Sequence, residues 1–390
     1  MRLLINTLSI GSMSGEHVVY GFLRPMLRNL GTKDHAIVLH YENQPPPQEI
    51  KASNLTTLSV SERWRHWALR AAWEMTRLPA LVKQNGVDRV LNVSGAITPF
   101  LAVPQVSLAM NPWCFVKSAR SGWVQEVKAF TQRRAYRYAF RKAAHMVYIS
   151  DHLRSLYRQA NADVLEDEAE STIAYVGLND ALFEAAQQFQ SMERKAYSIL
   201  SVSAFAPWKG VQTIVEAVHL IRQKSIPATL SLVGPWPNAQ YETRMRDLIS
   251  KFNLQDAVTI LGKIDVNELY RHYATHQVFC LMSSCESFGI PAAEAMAFGT
   301  PVVSTDCCAI AEVCDGAGQF GPVDDAQWTA RALERLLSSK SAWDEMSETA
   351  RQNASKLSWR SCVSPLLGNP SLMGEARQPE SPIVGDVSHT

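Results

Sequence analysis

The stretch CESFGIPAAEAMAFGTPVVSTD, residues 285–306, is the part of the sequence that decides the fold. It follows the apolar run 277–282, which predicts a buried strand. Pro291 suits the first turn of a helix, where its missing N–H costs nothing, and Gly299 suits the position just after a helix. The stretch therefore predicts a strand, a turn, a helix that starts near Pro291 and ends at Phe298, and a second strand.

Two glutamates eight positions apart, Glu286 and Glu294, flank the predicted turn. Glu286 falls in the loop after the strand and Glu294 about one helical turn further on, so both are expected to face the crevice where doubly wound sheets bind ligands. The backbone N–H groups of Gly289 and Ile290 at the helix start suit a diphosphate, and Glu294 suits the hydroxyls of a ribose. The alternative is that both glutamates are solvated surface charges.

Short apolar runs alternate with helical patterns along the chain, which is typical of parallel α/β sheets. The pattern runs twice, and 390 residues exceed one ordinary core. We therefore expect two Rossmann-like domains, 1–185 and 186–357, a crossover segment 358–367 and a disordered tail 368–390, which is rich in Pro, Gly and Ser. The predicted strands are 3–9, 36–41, 89–93, 106–109 and 146–150, then 197–202, 229–233, 258–261, 277–282 and 301–304; helical patterns include 15–30, 62–84, 211–224, 240–252, 266–276 and 325–338.

The composition excludes several classes of protein. A net charge of +1 argues against general nucleic-acid binding. No apolar run approaches the roughly 18 residues that span a bilayer, and the first residues lack a signal-peptide cleavage site, so a cytoplasmic protein is expected. The seven cysteines show no C-x-x-C spacing, which favours reduced thiols over a metal site.

From Glu286 to Val303 the sequence resembles the E-x7-E region of retaining glycosyltransferases of family 4. The resemblance implies the GT-B fold, in which two Rossmann-like domains face each other across a cleft. It also implies a nucleotide diphosphate sugar as donor, with Glu286 as a catalytic residue that binds the hydroxyls of the donor sugar. The donor would be bound by Glu294, Ser287, Phe288, Gly289 and Ile290. No Asp-x-Asp motif appears, so neither a metal nor another cofactor is expected.

Other positions extend the resemblance through the second half of the chain. Lys209-Gly210 is similar to the basic residue and glycine that precede a helix in that family, which makes Lys209 a catalytic cation for the departing diphosphate. Gly234 resembles the glycine that opens the inter-domain cleft, and Lys263 lies where the family contacts the nucleotide base. Ser358-Trp359 resembles its closing segment.

Some positions depart from the family pattern. Ala204 stands where an arginine is common, and Lys117, Arg120 and Lys263 are alternative cations for the diphosphate. Asn111 replaces a common histidine on the acceptor side; it can hydrogen-bond sugar hydroxyls but cannot act as a base. The loop before the first helix, 11–16, resembles a glycine-rich acceptor and phosphate loop, with isolated glycines at Gly11 and Gly15; an ordinary strand-to-helix turn is the alternative.

Residues 117–142 contain eight Lys or Arg and one acidic residue, interleaved with aromatic side chains. One interpretation is a peripheral contact with an anionic membrane; the other is a solvated basic face whose aromatic rings point into the core, and the latter is favoured for the rings. The predicted function is transfer of a sugar, with retention, to a glycan or lipid-linked acceptor in cell-surface polysaccharide or glycolipid synthesis. The alternatives are a sugar-nucleotide epimerase or hydrolase, and a non-catalytic sugar-nucleotide-binding subunit.

Overall fold

Two parallel β-sheets organise the chain. The computed structural model describes residues 1–11, 13–31, 33–50, 52–120 and 122–373, so most of the predicted tail, 374–390, lies outside the described residues. The first sheet has seven strands and the second has six. The strands are β1 (Arg2–Asn6), β2 (His35–Tyr41), β3 (Leu55–Val60), β4 (Arg89–Asn92), β5 (Gln105–Ala109), β6 (His145–Tyr148), β7 (Ser171–Ile173), β8 (Lys195–Val202), β9 (Thr229–Val233), β10 (Val258–Gly262), β11 (His276–Leu281), β12 (Val302–Thr305) and β13 (Gly318–Gly321).

Both sheets reverse their strand order near the middle. The first runs β3-β2-β1-β4-β5-β6-β7 and the second β10-β9-β8-β11-β12-β13, with every pairing parallel. The reversal lies between β1 and β4 in the first sheet and between β8 and β11 in the second. In doubly wound sheets, ligands bind outside the carboxyl ends of the strands at such a point.

Helices cover both faces of each sheet, as the alternating pattern predicts. Helix 211–223 illustrates why: its apolar residues recur at helical spacing, and all of them except the partly buried Leu220 are buried in the core of the second domain. No described helix has the length and apolar character that a bilayer crossing requires. The helices are α1 (Met13–Arg28), α2 (Trp67–Thr76), α3 (Leu78–Gln84), α4 (Trp123–Lys142), α5 (Asp151–Ala160), α6 (Asp180–Gln188), α7 (Val211–Gln223), α8 (Ala239–Lys251), α9 (Val266–Thr275), α10 (Ile290–Ala297), α11 (Ala309–Val313), α12 (Ala326–Ser338), α13 (Lys340–Ser355), α14 (Trp359–Leu367) and α15 (Pro370–Met373).

The chain crosses between the two domains twice. The first crossing leads from β7 into α6, which already packs against α9 and α10 of the second domain, so the predicted boundary after residue 185 falls inside this helix. The second crossing leads from α13 into α14, which packs on α1 of the first domain. The two crossings touch, because the N–H of Leu178 donates to the carbonyl of Leu357 at 2.6 Å.

The structure differs from the expected elements at two kinds of place. The helical pattern over 62–84 is divided into a short 3-10 turn, α2 and α3. The break between α2 and α3 lies where Pro79 lacks the N–H that a continuous helix needs. Three strands that were not predicted, β3, β7 and β13, each lie at an end of a sheet. The helix predicted around Pro291 is confirmed as α10, with Gly299 in the left-handed region after it.

Candidate functional site

The amine of Lys209 and the carboxylate of Glu286 form an ion pair at the switch point of the second sheet. Lys209 ends a 3-10 turn after β8, and Glu286 lies in the loop after β11, the strand next to β8. Lys209 Nζ lies 2.5 Å from Glu286 Oε1, and the two side chains are 17% and 14% exposed. The structure therefore brings both predicted catalytic residues together, each bound to the other.

Backbone contacts hold the two loops side by side. The carbonyl of Trp208 accepts hydrogen bonds from the N–H of Ser284 at 2.9 Å and from the Ser283 hydroxyl at 3.2 Å. Gly210 makes this approach possible: its φ is +67°, and a Cβ there would lie 2.0 Å from the carbonyl oxygen of Met282. Only glycine combines that backbone conformation with that spacing.

The loop after Glu286 leads directly into the start of α10. Gly289, in the left-handed region at φ +88°, is the N-cap, and Ile290 is the first helical residue. The first N–H groups of a helix have no intrahelical partner and favour anions. The Phe288 ring is buried and packs near Tyr175, so this side chain, predicted to bind the donor, is part of the core.

Glu294 occupies the second turn of α10 and is largely surrounded by protein. Its Oε2 accepts a hydrogen bond from the hydroxyl of Tyr273, a fully buried residue of α9, at 2.8 Å. Burial raises the pKa of Glu294 to about 7, while the Tyr273 hydrogen bond acts in the opposite direction. One carboxylate oxygen of this predicted ribose ligand is therefore already engaged.

Two further predicted donor residues line the same edge of the second sheet. Gly234 follows β9, and its N–H donates to the carbonyl of Gly262 at 2.7 Å. Lys263 follows β10, the edge strand, and its side chain is exposed. Because the strand order is β10-β9-β8, Lys263 lies two strands away from the strand that carries Lys209.

The residues predicted for the site in the first domain belong to α1 and to the segment after β5. Gly15 is in the first turn of α1 rather than in a loop, because the helix starts at Met13; Ser12 of the predicted loop lies outside the described residues. Asn111 is exposed after β5, and its Oδ1 accepts the N–H of Trp113 at 2.9 Å in a local turn.

The alternative cations differ in their surroundings. Arg120 is almost covered: it donates to the carbonyl of Cys114 and pairs with Glu126 at 3.1 Å. Lys117 is exposed in the 3-10 turn Lys117–Ala119, which packs beside the turn that carries Lys209. Next to it, the hydroxyls of Ser118 and Ser284 are 3.2 Å apart across the cleft.

A carboxylate of the second domain caps a helix of the first. Both oxygens of Glu312 accept backbone N–H groups at the start of α5, from Asp151 at 2.7 Å and from His152 at 2.8 Å. Tyr175 donates its hydroxyl to the same carboxylate at 2.8 Å. Glu312 lies 161 positions from Asp151 in the chain, and no local pattern in the sequence connects the two residues.

The same helix start also contacts the donor loop. The hydroxyl of Ser150 donates to the carbonyl of Ser287 at 2.8 Å and accepts the N–H of Leu153 at 3.1 Å. Ser287, predicted to bind the donor, is thus tied to the first domain through its backbone. The domain contact and the donor loop are parts of one hydrogen-bonded unit.

The cysteines near the site are free thiols. Cys307 is exposed, whereas Cys308 is buried and Cys285 is half-buried. Within the described ranges no three His, Cys, Asp or Glu side chains are grouped as metal ligands. The expected absence of a metal stays a prediction.

The N-terminal half of α4 exposes several apolar side chains. Trp123 is 78% and Phe130 53% exposed, so for these two rings the preferred interpretation, burial in the core, was wrong. Tyr136 and Phe140, further along, are buried as expected. We call six exposed apolar and basic residues of α4 the α4 tip: Trp123, Val124, Val127, Lys128, Phe130 and Arg134. Glu126, which pairs with Arg120, and Thr131 are exposed on the same part of the helix.

Comparison with known proteins places the second half of the chain in a family context. Residues 183–356 match the family model described as "Glycosyl transferases group 1". The MMP alpha-(1->4)-mannosyltransferase of Mycolicibacterium hassiacum is 30% identical over 210 residues, which cover 51% of this chain and 49% of that protein. The O-antigen chain mannosyltransferase RfbU of Salmonella typhimurium is 27% identical, covering 44% and 46%. The chain thus matches about half the length of these curated relatives.

Solved structures match over nearly the whole chain. HepE of Anabaena, solved in complex with UDP and glucose, aligns with a TM-score of 0.70 at 18% identity and covers 94% of this chain and 98% of that one. Sucrose-phosphate synthase of Thermosynechococcus elongatus aligns equally well, covering 94% and 97%. These alignments and the two parallel sheets confirm the predicted GT-B fold.

Proposed function

We propose that this chain, which carries the glycosyl transferases group 1 match in its second domain, transfers a sugar from a nucleotide diphosphate sugar to a hydroxyl acceptor. The observation that carries the proposal is the grouping of Lys209, Glu286 and the start of α10 at the switch point of the second sheet. A cation and unpaired backbone N–H groups suit a diphosphate, and carboxylates suit sugar hydroxyls.

The proposed roles follow from these positions. Lys209 exchanges its contact with Glu286 for a phosphate oxygen, which leaves the Glu286 carboxylate to accept hydrogen bonds from the hydroxyls of the donor sugar. Ile290 and its neighbours at the start of α10 bind the phosphates, and Glu294 binds the ribose. Rate enhancement comes from orienting donor and acceptor and from stabilising the departing diphosphate, so that no metal is needed. Retention at the anomeric carbon is part of the proposal, supported by the resemblance of the 286–303 segment.

A binding screen followed by product analysis tests this function. UDP, GDP, ADP and their sugar conjugates are screened by thermal shift, and we expect at least one to raise the melting temperature. The matching sugar conjugate is then incubated with a panel of hydroxyl acceptors, and the anomeric configuration of the product is read by NMR. The result that contradicts the proposal is a protein whose melting temperature none of these ligands changes.

The same experiment separates the alternatives. Free sugar released without an acceptor identifies a hydrolase, and an altered sugar still attached to the nucleotide identifies an epimerase. Donor binding without any product across the panel identifies a non-catalytic binding subunit, the alternative that Ala204 and Asn111 suggest. An α-linked sugar transferred from an α-linked donor identifies the proposed retaining transferase.

We further propose that the acceptor is a glycan or lipid-linked molecule presented at the cytoplasmic face of a membrane. The α4 tip supports this, because exposed Trp and Phe rings beside Lys128 and Arg134 match the composition of segments that lie in an anionic membrane interface. The tip begins four residues after the turn Lys117–Ala119, which packs against the turn of Lys209. A membrane contact there brings the surface next to the cleft. The relatives that the chain matches support a role in cell-surface polysaccharide or glycolipid synthesis.

A further inference from the structure

The cation at the proposed diphosphate position is already neutralised. Lys209 and Glu286 together carry no net charge at a separation of 2.5 Å. Asp306, just after β12 on the same sheet edge, adds a negative charge, and position 204 is an alanine. A diphosphate that departs with its negative charge needs more cationic stabilisation than this balance provides.

Lys117 is the cation that the fold brings to this place. It belongs to the first domain, yet its turn packs beside the turn Pro207–Lys209 of the second. The adjacent Ser118 hydroxyl lies 3.2 Å from the hydroxyl of Ser284, two residues before Glu286. The side chain of Lys117 is exposed and has no ion pair among the described residues.

The other two candidate cations fit less well. Arg120 has a side chain that is 5% exposed, and its guanidinium is engaged by Glu126 and the carbonyl of Cys114. Lys263 lies at the edge of the second sheet, separated from β8 by β9. Of the three, Lys117 alone combines a free amine with a position beside the turn of Lys209.

We propose that Lys117 binds the diphosphate of the donor from across the cleft and supplies the positive charge that position 204 lacks. This rests on the proposed function. A lysine suits the role because its ammonium is a compact charge with three donors on a flexible stem. Since Lys117 and Lys209 belong to different domains, both can bind the diphosphate at once only while the two domains are in contact.

Calorimetric titration tests the proposal with two classes of ligand. The tightest of uridine, guanosine and adenosine diphosphate is titrated into wild type, Lys117→Ala and Lys117→Arg, and the corresponding nucleoside is titrated in parallel. We expect Lys117→Ala to lower the affinity for the diphosphate about tenfold and Lys117→Arg to keep most of the wild-type affinity. The nucleoside should bind to all three proteins with the same affinity. Lys83→Ala, an exposed lysine of the first domain, is the matched control and should bind like wild type.

A charge-relocation variant makes the test specific. Lys117→Ala combined with Ala204→Arg removes the cation of the first domain and places one in the turn after β8. We expect this double variant to regain affinity for the diphosphate. Equal diphosphate affinity of wild type and Lys117→Ala overturns the role of Lys117 and leaves the proposed function intact. A wild-type protein that binds none of the three diphosphates overturns the proposed function itself, so the two failures are distinguishable.

Discussion

Lys209 Nζ lies 2.5 Å from Glu286 Oε1 although the two residues are 77 positions apart in the chain. In the proposed reaction the donor phosphate must displace Glu286 from this amine. Glu286 is thus a competitor of the diphosphate as well as a ligand of the sugar, and these two roles respond in opposite directions to one substitution.

We expect Glu286→Gln to bind the nucleoside diphosphate several-fold more tightly than wild type, because the charged competitor for Lys209 is gone. Sugar transfer should nevertheless fall, because the carboxylate no longer accepts the donor hydroxyls. Titration calorimetry and initial rates measure the two effects.

Lys209→Ala is the opposing variant. Its affinity for the diphosphate should fall about tenfold or more, equal to about 1.4 kcal/mol for each factor of ten. Weaker diphosphate binding by Glu286→Gln would show that the pair does not compete with the ligand.

The raised pKa of Glu294 predicts a stability difference that depends on pH. Its folded-state pKa is about 7, above the ordinary value of 4.5, so between these values the folded protein holds more protons than the unfolded chain. The contribution of this carboxyl to stability is therefore present below about pH 4.5 and is lost as the pH rises towards and through 7. We expect Glu294→Gln to gain stability relative to wild type as the pH rises from 4.5 to 8.

Urea unfolding of both proteins across this pH range measures the effect as a difference, which cancels the other titrating groups. A difference in the free energy of unfolding that stays constant with pH would contradict the shifted pKa. Binding provides a second readout on the same pair of proteins. Affinity of wild type for the nucleotide should fall as the pH drops below 7, because the carboxylate that accepts the ribose hydroxyls becomes protonated.

Gly210→Ala should disrupt the site through the backbone. A Cβ at this position meets the carbonyl oxygen of Met282 at 2.0 Å, and φ is +67°, so the two loops must separate. We expect a loss of about 2–4 kcal/mol in the free energy of unfolding, the sum of left-handed strain and overpacking. The exposed Gly368, with open space around its Cβ, is the control: Gly368→Ala should change stability by less than about 1 kcal/mol. Equal melting temperatures of the two variants would refute this account.

Glu312→Ala should loosen the contact between the domains. It removes the acceptor of two backbone N–H groups at the start of α5 and of the Tyr175 hydroxyl. Each buried donor that is left unpaired costs about 1–3 kcal/mol. Amide hydrogen exchange at Asp151 and His152 should accelerate, while exchange in the centre of the second sheet stays unchanged. Glu242→Ala, which removes the partner of Arg246 on the exposed face of α8, should leave exchange at these two amides as in wild type.

The α4 tip predicts binding to anionic vesicles. We expect Trp123→Ala combined with Phe130→Ala to reduce co-sedimentation with vesicles that contain phosphatidylserine at least several-fold, because two aromatic side chains no longer enter the interface. The matched control is Leu69→Ala combined with Met75→Ala, which removes exposed apolar side chains from α2. If wild type shows no salt-sensitive binding to these vesicles, the membrane proposal fails.

The sequence predicts best those elements that carry a local signal, either an apolar run or residues typical of helix ends. Interior strands such as β1 and β11 are buried over most of their length and contain apolar runs, and α10 has Pro291 at its start and Gly299 after its end. The unpredicted strands β3, β7 and β13 are sheet edges. In β3, whose sequence is LTTLSV, exposed Thr and Ser residues separate the apolar ones, so no apolar run marks the strand.

The site was predictable as residues but not as contacts. The type and spacing of Glu286, Lys209 and Glu294 are visible in the sequence, whereas the pairing of Lys209 with Glu286 depends on β8 lying next to β11. The Tyr273 hydroxyl on Glu294 and the Glu312 cap on α5 depend on packing between distant elements. Pairings of this kind are set by tertiary structure, and no local pattern encodes them.

Trp359 makes the first domain dependent on the last part of the chain. Its indole ring fills the space left by Gly21 and Gly177, where a Cβ would lie 1.9 Å and 2.5 Å from it, and stacks edge-on against Phe22 at 5.2 Å. During synthesis, the ribosome delivers α1 some 330 residues before α14. The N-terminal domain therefore emerges with an uncovered apolar groove and reaches its final packing only after the C-terminal domain has been made. A truncation before Trp359 should yield a protein that aggregates, even though every residue of the proposed donor site is present.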